Sequence, residues 1–131
     1  MSPTIVLKDG KPMLITGSPG GSRIIATVLE VIVNVLDYDM DVATAVAAPG
    51  LYHQWLPDEV RLEHGFADDI VAALKAEGHR GGEPMGLTSA NSIAVTADGL
   101  FGAPDPRTRG SEAAGNRLVN PKKRACMPID Q

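Results

Sequence analysis

The sequence predicts an α/β fold with antiparallel hairpins and about three helices, on three observations. Two pairs of β-rich runs are each joined through Asp-Gly, a long apolar pattern at helical spacing follows a glycine-rich turn, and two shorter helical patterns carry cap signals. At 131 residues the chain is about one domain long and can bury a core.

Residues 4–7 and 12–15 form the first pair of β-rich runs, flanking Lys8-Asp9-Gly10-Lys11. Asp-Gly between such runs is a strong hairpin signal, because both central residues of the favoured turn need positive φ. The second run leads directly into Thr16-Gly17-Ser18-Pro19-Gly20-Gly21-Ser22. Adjacent glycines adopt backbone angles closed to other residues and put no side chain in a ligand's way. A helix beginning just beyond them presents unpaired N–H groups and the positive end of its dipole. Such a turn suits a phosphate, a carboxylate or the oxyanion of acyl transfer; a tight strand-to-helix turn without ligand accounts for the same spacing.

From Ser22 the residues Ile25, Val28, Leu29, Ile32, Val35 and Leu36 recur at helical spacing, and Ile24, Val31 and Val33 widen the apolar face. So wide a face predicts a core helix covered on most sides. Asp41 is the expected N-cap of a short helix over residues 42–48, ended by Pro49-Gly50. Residues 52–55 and 60–63 read as short extended pieces around the Pro57-Asp58 turn. Residues 67–77 read as a third helix, with Asp68 and Asp69 in its first turn, Ile70, Val71 and Leu74 along one side, and Gly78 as its stop. Residues 92–95 and 100–103 form the second hairpin, around Asp98-Gly99. After Asp105 the periodicity stops, so residues 107–131 read mostly as loop or disordered tail.

Composition narrows the function. Apolar residues make up 44% of the chain but aromatics 4%, so the core is aliphatic. The formal charge of −4 argues against general nucleic-acid binding, which needs a basic face. A single cysteine, Cys126, excludes an internal disulfide and a cysteine-based metal cluster. The longest apolar run, residues 24–36, is broken by Thr27, Glu30 and Asn34 and is too short to span a bilayer, so no membrane partner is expected. The first residues lack the basic start and apolar stretch of a secretory signal.

Several constellations have plainer explanations. Asp37, Asp39 and Asp41 have the alternate spacing of a calcium loop, but Val42 stands where the glycine turn belongs and Ala48 where the bidentate glutamate belongs. His53, His64 and His79 share no metal spacing. Ser18 with His53 and Asp58 has the composition of a hydrolytic triad, without a G-x-S-x-G elbow. Trp55 reads as a packing anchor, with substrate contact as the alternative. Lys122-Lys123-Arg124 reads as a solvated patch.

Met1-Ser2-Pro3-Thr4-Ile5, the glycine segment extended through Arg23-Ile24, His53-Gln54-Trp55-Leu56-Pro57-Asp58 and Asp105-Pro106-Arg107 together resemble the small subunit of γ-glutamyltransferases, in that family's order and at its approximate separations. The resemblance covers residues 1–115 and leaves 116–131 as a flexible tail. It implies part of an N-terminal-nucleophile hydrolase fold, half of an α-β-β-α sandwich. In such enzymes a precursor cuts itself, and the small subunit then begins with a threonine that serves as nucleophile and, through its amine, as its own base. That threonine takes the γ-glutamyl group from glutathione and passes it to water, an amino acid or a peptide. Gly20 and Gly21 match the family's paired glycines, which supply the oxyanion donors.

The resemblance also implies what this chain does not carry. The family's nucleophile, the strands after it and two carboxylate-binding serines lie upstream of the residue matching Met1, and Thr4 and Thr16 belong to interior motifs. The arginine that clamps the γ-glutamyl carboxylate belongs to the large subunit. The expected partners are therefore the large subunit, the N-terminal part of the small subunit and a glutathione-like substrate, with no cofactor and no metal. The chain alone is expected to be inactive, and a signal upstream would place the complete enzyme in the periplasm or outside the cell. Two other readings are a non-catalytic binding or assembly protein that keeps the fold, and a related β-lactam acylase. An edge strand left without its neighbour predicts self-association.

Overall fold

The computed structural model describes residues 2–114. Met1 and the tail, with Lys122-Lys123-Arg124 and Cys126, lie outside the described residues.

Both expected hairpins form and join into one sheet, the first turning at Asp9-Gly10 and the second at Ala97-Asp98, one residue earlier than expected, with Gly99 already paired to Thr96. Strands β1 (Ser2–Lys8) and β2 (Lys11–Ser18) pair antiparallel across Asp9 and Gly10, whose φ values of 52° and 75° are those a two-residue type I′ turn requires. Helices α1 (Arg23–Leu36) and α2 (Val42–Ala47) follow, then the two-residue strands β3 (Leu51–Tyr52) and β4 (Arg61–Leu62), helix α3 (Asp68–Ala76), and the hairpin β5 (Asn91–Thr96) and β6 (Gly99–Ala103). The main sheet has the order β1-β2-β5-β6 and is antiparallel throughout, while β3 and β4 form a small sheet of their own. Every strand of the main sheet extends beyond the apolar runs that predicted it, because ladder pairing carries flanking polar residues along.

Alternation sets the two faces of the main sheet. Val6, Leu14, Ala94 and Ala103 turn toward the helices, and with Val31, Val42, Val46 and Ala90 they make the core; Leu14 and Ala90 have no exposed surface. Complete burial of a side chain the size of Leu14 contributes about 1.5–3 kcal/mol. Thr16 and Ser92 are buried on the same face, and the Ser92 hydroxyl donates to Thr16 Oγ1 at 2.8 Å, which satisfies polar atoms inside the ladder. The opposite face carries Ile5, Ile15 and Ile93 in register across three strands, with Ile5 60% exposed.

One expectation of packing needs correction. Helix α1 is not covered on most sides: Thr27, Val28 and Val31 are buried, but Ile25 is 76% exposed and Leu29 56%, because this chain supplies packing for one flank only. Helix α3 has no buried residue, so its apolar side covers no core here. Residues 104–114 have no helix or strand, in line with the loop reading, yet the loop is anchored: Asp105 is wholly buried and Arg107 is held by side-chain hydrogen bonds, a relation that periodicity cannot register.

Local signals elsewhere hold. The Asp41 carboxylate accepts from the N–H groups of Ala43 and Thr44 at 3.0 Å and also meets the Thr44 hydroxyl, which caps α2 and holds its pKa below the usual carboxylate range. Gly78 stops α3 with φ 97°.

Candidate active site

Strand β2 is hydrogen-bonded on both edges, so the chain leaving it at Ser18 starts from a fixed point. Ser18 is fully buried and its hydroxyl donates to the Pro19 carbonyl at 2.7 Å. Gly20 and Gly21 then take φ values of 120° and 62°. Their carbonyls accept from the N–H groups of Arg23 and Ile24 at 3.3 and 3.2 Å and so begin α1, while their own N–H groups meet no acceptor among the described residues. The 14-residue helix places its positive end at the same spot.

The two glycines are required for different reasons. A Cβ on Gly20 would lie 2.7 Å from Thr88 Cβ, and φ 120° is in any case a conformation that L-residues avoid. A Cβ on Gly21 would meet nothing within 4 Å, so only its left-handed φ demands glycine. Thr88 therefore presses against one side of the turn and leaves the other open.

A second hydrogen-bonded chain braces the start of α1. The Tyr52 hydroxyl, on β3, bonds to Ser22 Oγ at 2.8 Å and to Gln54 Oε1. The next residues form a closed loop: His53 Nε2 lies 3.3 Å from Asp58 Oδ1, and His53 Nδ1 accepts from the Trp55 N–H at 3.2 Å. The triad composition is thus only partly assembled. His53 and Asp58 meet, but the other imidazole nitrogen is engaged by backbone, and Ser18 is occupied with Pro19. Trp55 is not a packing anchor. It stands 76% exposed at φ 73°, held out by its own loop.

Behind the turn lies a cluster of charges. Arg107 Nη2 is 2.6 Å from Glu63 Oε2 and donates to the Ala48 carbonyl at 2.7 Å, while Nη1 donates to the Val46 carbonyl at 2.7 Å and to Asp105 Oδ2 at 3.1 Å. Glu63 also accepts from the N–H groups of Gly50 and Leu87, and Asp105 from that of Ala90. One guanidinium thus ties the end of α2 to the residue that follows β4 and to the loop that follows β6. Burial pushes the Glu63 pKa up, but its bonds to Arg107, Gly50 and Leu87 outweigh that and leave it below the ordinary value. The Arg107 pKa is raised further, chiefly by its hydrogen bonds to Glu63 and against the effect of burial.

Glu30 of α1 is the contrasting carboxyl. It accepts from the Leu51 N–H at 2.9 Å, yet burial, with the nearby charge of Glu63, raises its pKa to about 7. Nothing in the sequence pattern singled out Glu30, Glu63, Thr88 or the Tyr52 bond to Ser22, since these depend on contacts between distant segments. The one signal for the charge cluster was Asp105-Pro106-Arg107, visible only through the resemblance.

A four-stranded antiparallel sheet with helices on one face, entered through a strand–diglycine–helix turn, is one half of the layered fold of N-terminal-nucleophile hydrolases. Within that class the chain belongs to the γ-glutamyltranspeptidase family, whose pattern it matches over residues 1–115. It is 53% identical over 116 residues to the glutathione hydrolase proenzyme of Escherichia coli (strain K12), covering 88% of this chain and 20% of that protein. A crystal structure of a mutant γ-glutamyltranspeptidase of Helicobacter pylori superposes with a TM-score of 0.77 at 46% identity, over 82% of this chain and 61% of that one. A cephalosporin acylase from Bacillus halodurans superposes with a TM-score of 0.77 at 26% identity, over 87% of this chain and 22% of that one. The chain therefore spans about one-fifth of the length of its curated E. coli relative.

Proposed function

We propose that this chain works as part of a γ-glutamyltransferase that cleaves glutathione and passes the γ-glutamyl group to water, an amino acid or a peptide. Its own contribution is the oxyanion hole. The observation that carries this reading is the pair of consecutive positive-φ glycines whose N–H groups meet no acceptor among the described residues. Two such donors at a helix N-terminus suit the charge that develops on a carbonyl oxygen as a nucleophile attacks it. Holding them between α1 and β2, which is paired on both sides, means little reorganisation accompanies the reaction.

The attacking group comes from elsewhere. Thr16 is buried and bonded to Ser92, and Thr4 belongs to β1, so neither replaces the N-terminal threonine that the family resemblance implies. The working partners in this reading are the N-terminal part of the small subunit and the large subunit, and the chain alone turns over no substrate. The test is a chimera in which residues 1–115 replace the matching segment of the E. coli proenzyme. Self-cleavage of the precursor and hydrolysis of a γ-glutamyl anilide are expected; a folded, cleaved chimera without activity would overturn the reading. A cephalosporin side-chain amide in the same assay tests the acylase alternative, favoured by the Bacillus halodurans neighbour.

The outer face of the sheet supports self-association of the chain alone. Ile5 and Leu100 are each about 60% exposed on the two edge strands, and the row through Ile15 and Ile93 links them. Apolar faces beside free strand edges pair readily with other copies.

A further inference from the structure

Adjacent glycines are the least restrained backbone in a chain, so two N–H groups that must face one developing charge need holding from outside the turn. On one side Thr88 lies against Gly20, while the Gly21 side is open. Ser22, the next residue, sits at the N-cap position of α1 yet does not cap it: its φ and ψ of −63° and −22° are helical, and its side chain makes no bond to the first turn. Asp41 shows the usual arrangement in the same chain, with ψ 152° and its carboxylate on the N–H groups of Ala43 and Thr44. The Ser22 hydroxyl is engaged instead by Tyr52, 30 residues away, at 2.8 Å. Tyr52 is 8% exposed and held at both ends: its hydroxyl also meets Gln54 Oε1, whose Nε2 donates to the Leu56 carbonyl at 3.4 Å, and its backbone pairs with Arg61 on β4. The preceding residue, Leu51, donates its N–H to Glu30 Oε1 at 2.9 Å, so β3 grips α1 at a second point about two turns further on.

We propose that Tyr52 is a positioning residue of the oxyanion hole, acting through Ser22 to fix the direction of the Gly20 and Gly21 N–H groups. Its part in catalysis rests on the acyl-transfer reading; its hold on the turn does not. Without the Tyr52 hydroxyl, Ser22 is free to take the extended dihedrals with which a serine at this position ordinarily caps its own helix. The flanks of the segment cannot follow, since β2 is paired on both edges and α1 is packed on the sheet through Val31. The rotation at Ser22 is therefore absorbed by the glycines, whose N–H groups turn away from a common point. A displacement of about 1 Å in such a site costs about a hundredfold in rate, and the loss of one of two supports, with Thr88 remaining, should cost about tenfold. Acylation and deacylation use the same two donors, so the loss falls on kcat in both steps and leaves KM unchanged.

The first measurement is made on the full chain. Backbone order parameters from NMR relaxation should place Gly20 and Gly21 near the rigid value of about 0.85 in the parent and fall toward about 0.6 in Tyr52→Phe, while the middle of α1 keeps its own. Ser22→Ala removes the same bond from its other end and, because this serine caps nothing, should loosen the turn equally. It also decides the matter if Tyr52→Phe fails to fold. In the active chimera each variant should lower kcat on the γ-glutamyl anilide about tenfold with KM held within about twofold, and the double variant should lose no more than either single one. A residue that served stability alone would lower the melting temperature and leave kcat per folded molecule untouched. Unchanged order parameters, unchanged kcat in a chimera whose turn has loosened, or losses that multiply in the double variant would each overturn the proposal. A chimera that folds and cleaves itself but is inactive before any substitution sinks the acyl-transfer reading instead, and the order parameters then decide whether Tyr52 holds the turn.

Discussion

Arg107 and Glu63, 44 residues apart in sequence, meet with Nη2 2.6 Å from Oε2 and Nε 3.0 Å from Oε1, so that guanidinium and carboxylate pair through two bonds. The same guanidinium satisfies the carbonyls of Val46 and Ala48 at the end of α2. Removing it leaves Glu63 and the wholly buried Asp105 as uncompensated charges.

Arg107→Ala should therefore destabilise the chain by about 3–5 kcal/mol, the range for breaking a buried pair from one side. Arg107→Lys should recover little of this, because a point charge reproduces neither the paired contact nor the carbonyl bonds. Urea unfolding followed by circular dichroism measures both. A loss below about 1 kcal/mol for the alanine variant would reduce the cluster to a surface ion pair.

Substitutions in the turn should separate the two glycines. In the chimera, Gly20→Ala should lower kcat on a γ-glutamyl anilide by about a hundredfold or more, the scale of losing one oxyanion donor. It combines a forbidden φ with a collision against Thr88. Gly21→Ala should cost about tenfold, since only left-handed strain opposes it. Equal losses would mean that Thr88 yields freely.

Glu30 gives the chain a pH dependence of definite sign. Its folded pKa, about 7, lies above the ordinary 4.5, so between these values the folded state holds more protons than the unfolded one. Stability contributed by Glu30 is therefore present at low pH, falls as pH rises through this window and stays low above it. Glu63, with its pKa lowered, acts in the opposite sense below about pH 4.5, where protonation weakens its bond to Arg107. Glu30→Gln keeps an acceptor for the Leu51 N–H and should flatten the decline between pH 5 and 7. Thermal melts across that range, with the variant as steep as the parent, would refute this.

Self-association is tested at the exposed sheet. Light scattering should show dimers or larger species of the unaltered chain, and Ile5→Lys, on the edge strand, should shift them toward monomer. A well-folded monomer at high concentration contradicts the prediction.

The sequence was most legible where structure is local. Asp9-Gly10 placed the first hairpin through a positive-φ pair between β-rich runs, and Asp98-Gly99 marked the second, although there Ala97 and Asp98 make the turn and only Gly99, already paired with Thr96, has positive φ. Asp41 marked its helix because an N-cap acts on the next two or three residues. The glycine turn was legible for the same reason, down to its position at the start of α1. What escaped was long-range: the union of the hairpins through β2 and β5, the exposure of Trp55 and the charge cluster around Arg107. Trp55 misled because its hydrophobicity suggests burial, while the bonds of His53 to Trp55 and Asp58 fix a loop that turns it outward. Ile25 and Leu29 misled for the opposite reason, since the periodicity records surfaces that need cover without recording which segment covers them.

The pairing of β2 with β5 carries a consequence for synthesis of the chain. Thr16 and Ser92 are 76 positions apart, so β2 leaves the ribosome long before the strand that completes it. At about 5–20 residues per second, that delay is roughly 4–15 s. During it the nascent protein can hold its first hairpin but not its sheet, and Leu14 and Ile15 remain in contact with solvent. A pause after β6 would let the sheet close before further chain emerges, whereas a pause shortly before β5 would prolong the interval in which a chaperone is needed.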